Sequence, residues 1–160
     1  MTYMDRYHSW CEAGLPADVQ LELRSIAGNE EELKSRFGGD LQFGTAGMRG
    51  IMGAGSNRLN RYTVRRAAMG MAAWLSGTDL PQKAAIGYDS RHNSQLFAEV
   101  CAVAFAEKGI EVHLYDRLAP TPMLRTLSVS LAAAAASSFP PATMPVLTTV
   151  SSATARTAAR

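Results

Sequence analysis

Apolar residues recur at helical spacing through the first forty residues. Apolar residues that are three or four positions apart predict three short helices. They cover residues 3–13, 17–27 and 30–37. Pro16 suits the start of the second helix, and Gly38-Gly39 ends the third. We therefore predict a helical N-terminal arm over residues 1–40, which packs through its apolar faces.

Beyond residue 60, helical patterns alternate with short apolar runs. Asn60 as an N-cap and Gly77 as a stop predict a helix over 61–75. The later elements are a strand at 83–87, a helix at 94–108 capped by Ser94, a strand at 110–115 and a helix at 123–131. Short connections between such elements predict a parallel sheet with right-handed crossovers. The expected fold class is α/β, a three-layer α/β/α domain with a mainly parallel sheet over residues 41–131.

Between the arm and the α/β pattern lies a glycine-rich segment that begins FGTAGMRG, residues 43–50. Glycines at 44, 47 and 50 let backbone N–H groups approach an anion closely. Thr45 adds a hydroxyl donor and Arg49 a planar cationic fork, so the segment suits a phosphate ester. An ordinary glycine-rich turn with a surface arginine explains the same residues, and spacing alone does not decide. The segment matches neither the P-loop nor the dinucleotide-binding motif.

Two further groups of charged residues could contact a ligand. Arg58, Arg61, Arg65 and Arg66 form a basic cluster, which could face a phosphorylated ligand or an acidic partner. A solvated helix face accounts for at least two of the four. Asp89 and Arg91 follow the first predicted strand, at the sheet edge where ligands gather. We expect these two to pair and hold their loop, with direct ligand contact by Arg91 as the second choice.

Composition narrows the class of protein. The chain has 160 residues, 47% hydrophobic and 19% charged, which is typical of a globular domain. A net charge of +2 gives no reason to expect nucleic acid as a partner, and no run approaches the roughly 18 apolar residues of a membrane span. Cys11 and Cys101 are far apart and form neither a disulfide framework nor a metal motif. The expected location is the cytoplasm.

Four segments, in this order and spacing, resemble the first domain of the α-D-phosphohexomutases. They are FGTAGMRGIMGAGSNRLNRYTVRRA (43–67), IGYDSRHNSQLFAE (86–99), GIEVHLYD (109–116) and APTPMLRTL (119–127). The resemblance covers about residues 3–131. It is strongest to the phosphoglucomutase/phosphomannomutase branch, which includes phosphopentomutase-like enzymes, and the helical arm fits that branch.

The resemblance implies an enzyme of four domains around one cleft. Such enzymes move a phosphoryl group between two hydroxyls of a phosphorylated sugar, through a phosphoserine and a bisphosphorylated intermediate. Mg²⁺, held by the phosphoserine and by an aspartate-rich loop of the second domain, and a glucose 1,6-bisphosphate-type activator are implied cofactors. The implied phosphate-binding residues of this chain are Gly44, Thr45, Gly47 and Arg49, with Arg91 a weaker candidate.

The chain departs from the family pattern after Leu131. The family continues there with GIVITASHNP, which carries the phosphoserine, and then YNGYK. Residues 132–160 instead contain ten Ala, four Ser and five Thr, with no Asp, Glu, Lys or Gly. Codons for these residues are compatible with the family sequence in a shifted reading frame, so we expect a frameshift here.

This difference from the family pattern determines which activity we expect of the chain. A low-complexity, disordered tail over 132–160 would leave the sheet incomplete at its C-terminal side. Without the serine and the metal ligands, we expect a mutase fragment that is inactive alone. The alternatives are a non-catalytic sugar-phosphate-binding module and a gene fragment with no function.

Overall fold

The computed structural model describes residues 1–44 and 47–118, together with the strand backbone at 134–136 and 147–148. None of the helices within these ranges is long and apolar enough to cross a bilayer. The predicted helix at 123–131 lies outside the described residues.

The N-terminal arm consists of three helices, as predicted. They are α1 (Tyr3–Glu12), α2 (Ala17–Ser25) and α3 (Glu30–Phe37). Local capping sets two of their starts. The Thr2 hydroxyl accepts from the Asp5 backbone N–H while the Asp5 carboxylate accepts from the Thr2 N–H, and the Asn29 side chain accepts from the N–H of Glu32.

The arm has its own hydrophobic cluster, centred on the fully buried Phe37. Tyr7 and Trp10 meet the Phe37 ring edge-on, with ring centroids 5.6 and 5.9 Å away. The buried members are Tyr7, Leu23, Ile26, Leu33, Phe37 and Ala54. Ala54 belongs to the glycine-rich segment rather than to the arm, so the two stretches share one core.

After strands β1 (Phe43–Gly44) and β2 (Gly47–Met48), helix α4 (Arg61–Ser76) begins and ends close to the predicted bounds. The Asn60 Oδ1 accepts from the backbone N–H groups of Tyr62 and Thr63, and Gly77 is the C-cap. One apolar face of α4 packs inward: Val64, Ala68 and Leu75 are buried, and Ala67 and Met71 are partly buried.

Within the part of the chain that the structure describes, the main sheet has four strands in the order β4-β3-β5-β6. These are β3 (Lys83–Ile86), β4 (Glu111–Leu114), β5 (Ala134–Ala136) and β6 (Leu147–Thr148), and helix α5 (Ser94–Ala106) joins β3 to β4. Strand β3 pairs in parallel with both β4 and β5, whereas β6 is antiparallel to β5. The α/β class with a mainly parallel sheet is therefore confirmed.

Strand β5 corrects one expectation, since residues 132–160 were expected to contain no strand. Ala134 pairs with Ala84 and Ala136 with Ile86, so the alanines complete the ladder beside β3. Alanine is a poor strand former in isolation, but an unpaired edge on a buried strand supplies a backbone template that outweighs this weak propensity. Apart from β5 and β6, the predicted disordered tail lies outside the described residues.

The two cysteines differ in accessibility. Cys101 on α5 is buried in the main core, which is the hydrophobic cluster formed by α4, β3 and α5, whereas Cys11 is exposed. Burial raises the pKa of the Cys101 thiol to about 12. Because the thiolate is the nucleophile, we expect Cys11 alone to react with DTNB in the native protein at pH 8, and both thiols to react in urea. Rapid reaction of both thiols without denaturant would contradict the described packing of α5.

Candidate functional site

The glycine-rich segment begins as a short hairpin. Phe43 of β1 pairs with Met48 of β2, and Gly44 pairs with Gly47. Met48 is buried in the main core and the next residue, Arg49, is exposed. Because successive strand residues point to opposite sides, the buried Met48 fixes Arg49 at the surface. Thr45 lies outside the described residues, and its assignment stays a prediction.

Beyond Arg49 the chain returns in a tightly bonded loop, residues 50–59. Gly50 lies so close to Leu41 that an added Cβ would be 2.6 Å from the Leu41 Cδ1. The Leu59 N–H donates to the Ile51 carbonyl at 2.9 Å, and the Gly53 N–H donates to the Leu59 carbonyl at 3.3 Å. Both ends of the loop are thereby tied together next to Arg49.

Asn60 has a second role that sequence reasoning missed. While its Oδ1 caps α4, its Nδ2 donates to the carbonyl oxygens of Gly53 at 2.8 Å, Gly55 at 2.9 Å and Arg58 at 3.3 Å. One side chain thus joins the loop to the start of α4. The local pattern revealed the cap, but no sequence signal indicates the contacts to these carbonyls.

Two arginines of the basic cluster are engaged within the chain. Arg58 is only 6% exposed, and its Nη2 donates to the Ser35 hydroxyl at 2.9 Å. Arg65 reaches both carboxylate oxygens of Glu107 at 2.6 Å. Both guanidinium groups therefore have side-chain partners within the chain.

Asp40 forms an ion pair with Arg66, a third arginine of the basic cluster. The Arg66 Nη1 lies 3.1 Å from the Asp40 Oδ1, and the Arg6 Nη1 of the arm lies 3.6 Å from the same oxygen. Arg61 lies over the ring of Tyr62, 6.0 Å from its centroid. The cluster is therefore not a single free cationic surface.

The loop after β3 confirms the predicted pair and corrects the predicted cap. Asp89 Oδ1 accepts from the Arg91 backbone N–H at 3.1 Å, and Asp89 Oδ2 lies 3.4 Å from the Arg91 Nη1. Ser94 does not cap α5, because its hydroxyl accepts from the Asp89 N–H at 3.1 Å. The cap residue is Asn93, whose φ of 62° turns the chain into the helix without a side-chain cap bond.

An open, polar cleft of about 530 Å³ lies at this end of β3. Its lining includes Asp89, Arg91, His92 and Asn93. Arg49 is not among the lining residues, so the two predicted arginines do not share this cleft in the described part of the chain. The structure brings Gly44 and Gly47 together beside Arg49, and leaves Arg91 in a separate surface feature.

The described residues offer no ligand set for a metal. Within residues 1–44 and 47–118, no three His, Cys, Asp or Glu side chains cluster closely enough to hold an ion.

Comparisons with known proteins place this architecture. A family model described as phosphoglucomutase/phosphomannomutase, alpha/beta/alpha domain I, matches residues 40–139. Phosphoglucomutase of Staphylococcus haemolyticus is 44% identical over 88 residues, which is 55% of this chain and 16% of the relative. Phosphopentomutase of Pongo abelii is 39% identical, and that of Homo sapiens 38% identical, each over 106 residues, 61% of this chain and 17% of the relative.

The chain thus spans about one sixth of the length of these curated relatives, 16% to 17%. No solved structure showed significant similarity to it. The family model nevertheless covers more than half of the chain and includes the hairpin, α4, the β3 loop and β5. The resemblance read from the sequence is confirmed, and the chain belongs to the phosphoglucomutase/phosphomannomutase family, in its α/β/α domain I.

Proposed function

We propose that this chain carries the part of a phosphosugar mutase that binds the phosphate of the substrate. The substrate is a phosphorylated hexose or pentose. The complete reaction is an intramolecular phosphoryl transfer between the 1-phosphate and the 6- or 5-phosphate, by way of a phosphoserine and a bisphosphorylated sugar. Support comes from the family assignment and from relatives named phosphoglucomutase and phosphopentomutase.

The observation that carries this proposal is the setting of Arg49. The residue is exposed, directly after the buried Met48, and the cross-strand pair beside it is Gly44 with Gly47. Neither glycine has a side chain that could cover the backbone. A guanidinium next to a glycine backbone suits the three oxygens of a phosphate, and phosphoryl transfer depends mainly on positioning and charge neutralisation.

Arg91 has a secondary role in the proposal. Its guanidinium lies beside Asp89, so a phosphate at the cleft would compete with that carboxylate. We assign Arg91 to holding the β3 loop, with direct contact to the phosphate as the second choice.

The chain alone does not complete the reaction in this proposal. The resemblance predicts a serine next to histidine and a later lysine, but residues 114–160 contain no histidine and no lysine. We therefore infer that the chain lacks the phosphoserine that would donate or accept the phosphoryl group. Mg²⁺ and a bisphosphorylated sugar activator are proposed requirements of a protein that contains the remaining domains.

The test is isothermal titration with glucose 1-phosphate and ribose 1-phosphate, with glucose as the unphosphorylated control. Replacing Arg49 by Met removes a charge-assisted hydrogen-bond donor, and we expect affinity to fall about 10- to 100-fold. Arg24→Met, at an exposed position of α2, is the matched control and should leave affinity unchanged.

Two results would contradict the proposal. A folded chain that gives no binding heat with either sugar phosphate would show that the Arg49 hairpin is an ordinary turn. Formation of glucose 6-phosphate in a coupled assay would show that the chain has a phosphoryl acceptor after all, and would refute the proposed inactivity.

A further inference from the structure

The glycine-rich segment is packed against the last turns of α3, not only against α4. Ala54 is buried in the hydrophobic cluster of the arm, and the Asn57 N–H donates to the Arg36 carbonyl at 2.9 Å. The Ser56 hydroxyl donates to the Gly39 carbonyl at 2.8 Å. The arm and the loop that follows Arg49 therefore form one packed unit.

Arg36 lies at the centre of this unit. Its Nε donates to the Glu32 carboxylate at 2.7 Å, while its Nη1 contacts Glu22 of α2 and donates to the Ala54 carbonyl at 3.3 Å. The side chain is only 16% exposed. One guanidinium thus connects two helices of the arm to the loop.

The charges of this group support each other. Burial acts to lower the pKa of Arg36, but its hydrogen bonds with Glu32 and Glu22 outweigh burial and raise it. The same hydrogen bond lowers the pKa of Glu32. The guanidinium and its carboxylate partner are therefore mutually held in their charged forms at neutral pH.

Two glycines show how closely the loop approaches this ion pair. At Gly53, with φ of 145°, an added Cβ would lie 2.7 Å from the Glu22 Oε1 and 3.2 Å from the Arg36 Nη1. At Gly55, an added Cβ would lie 2.8 Å from the Arg36 carbonyl oxygen. The backbone of the loop rests directly on Arg36 and its partner.

This contact is linked to Arg49 through a short series of hydrogen bonds. Gly53 donates to Leu59, and Leu59 donates to Ile51, which is two residues from Arg49. Displacement of residues 53–55 would release Ile51. The backbone two residues from Arg49 is therefore connected to a contact made by the arm.

We infer that Arg36 is a positioning residue for the phosphate-binding hairpin, so that the helical arm, and not α4 alone, determines the geometry of Arg49. This inference rests on the proposed function only in its choice of ligand, a sugar phosphate. The predicted effect on the loop itself can be measured without one.

The test uses hydrogen exchange and glucose 1-phosphate titration on the full chain. In Arg36→Met we expect the amides of Gly53 and Leu59 to exchange about tenfold faster, and affinity for glucose 1-phosphate to fall about fivefold or more. Glu22→Gln keeps an uncharged hydrogen-bond acceptor at a half-exposed site and should show the same changes to a smaller degree. Glu22→Gln also tests the inference if Arg36→Met does not fold.

Asn29→Ala separates positioning from general stability. It removes the N-cap of α3, which is expected to cost about 1 kcal/mol, without touching the loop. Its affinity and its exchange at Gly53 and Leu59 should stay at the wild-type values, after allowance for global unfolding.

Wild-type exchange at both amides in the Arg36 or Glu22 variant would overturn the inference. So would an equal loss of affinity in Asn29→Ala. If the wild-type chain binds no sugar phosphate, the proposed function fails, and the exchange rates alone decide whether Arg36 positions the loop.

Discussion

Replacing Asn60 by aspartate is expected to lower the free energy of unfolding by about 3 kcal/mol, although the two side chains have nearly the same shape. The Oδ1 that caps α4 is retained. The Nδ2 that donates to the carbonyl oxygens of Gly53, Gly55 and Arg58 is replaced by a carboxylate oxygen. In the variant, a carboxylate oxygen faces three carbonyl oxygens, so hydrogen bonds are lost and electrostatic repulsion is added. Urea unfolding followed by circular dichroism measures the change.

Asn29 offers a matched control, because it is also an N-cap asparagine. Its side chain accepts from the Glu32 N–H at 3.2 Å and is exposed. Aspartate caps a helix about as well as asparagine, so Asn29→Asp should change stability by no more than about 0.5 kcal/mol. Equal losses in the two variants would contradict the loop-bridging role of Asn60.

A methyl group at Gly55 is expected to destabilise the protein by about 3 kcal/mol, because strain and overpacking act together. The φ of 135° is one that L-residues rarely adopt. The new Cβ would lie 2.8 Å from the Arg36 carbonyl oxygen and 2.9 Å from the Arg36 Cβ. Neither contact can be relieved without moving α3 away from the loop. The shift in urea midpoint measures this loss as well.

Alanine substitutions at two other glycines serve as controls for this expected loss. Gly28 has φ of 88° with no atom within 4 Å of an added Cβ, so Gly28→Ala reports backbone strain without a clash, about 1 kcal/mol. Gly70 is an exposed position inside α4 with equally open space, and alanine there should stabilise the helix by about 0.5–1 kcal/mol. If Gly55→Ala costs no more than Gly28→Ala, α3 does not approach the loop as described.

The helices were predictable because their signals are local. The N-cap at Asn60, the stop at Gly77 and the apolar face of α4 are all contained within a few residues of sequence. The Asp89–Arg91 pair is similarly local, two residues apart in one turn. For these features, spacing along the chain already determines which groups can meet.

The errors arose where a contact outside the helix or strand pattern itself decides the outcome. Ser94 was expected to cap its own helix, but its hydroxyl accepts from Asp89 instead. Ala134–Ala136 has no strand pattern of its own and becomes a strand because β3 offers a free ladder. The importance of Arg36 was also missed, since its partners are 14 and 18 positions away at Glu22 and Ala54.

The burial of Ala54 among the arm's aromatic and aliphatic side chains has an evolutionary consequence. The predicted arm ends at residue 40, but its hydrophobic cluster also contains Ala54 of the glycine-rich segment, so the two stretches share one core. A larger side chain near Phe37 would require a compensating change near Ala54. Across related proteins the last turn of α3 and residues 53–57 should consequently co-vary, and an arm exchanged between homologues should function only together with its own segment.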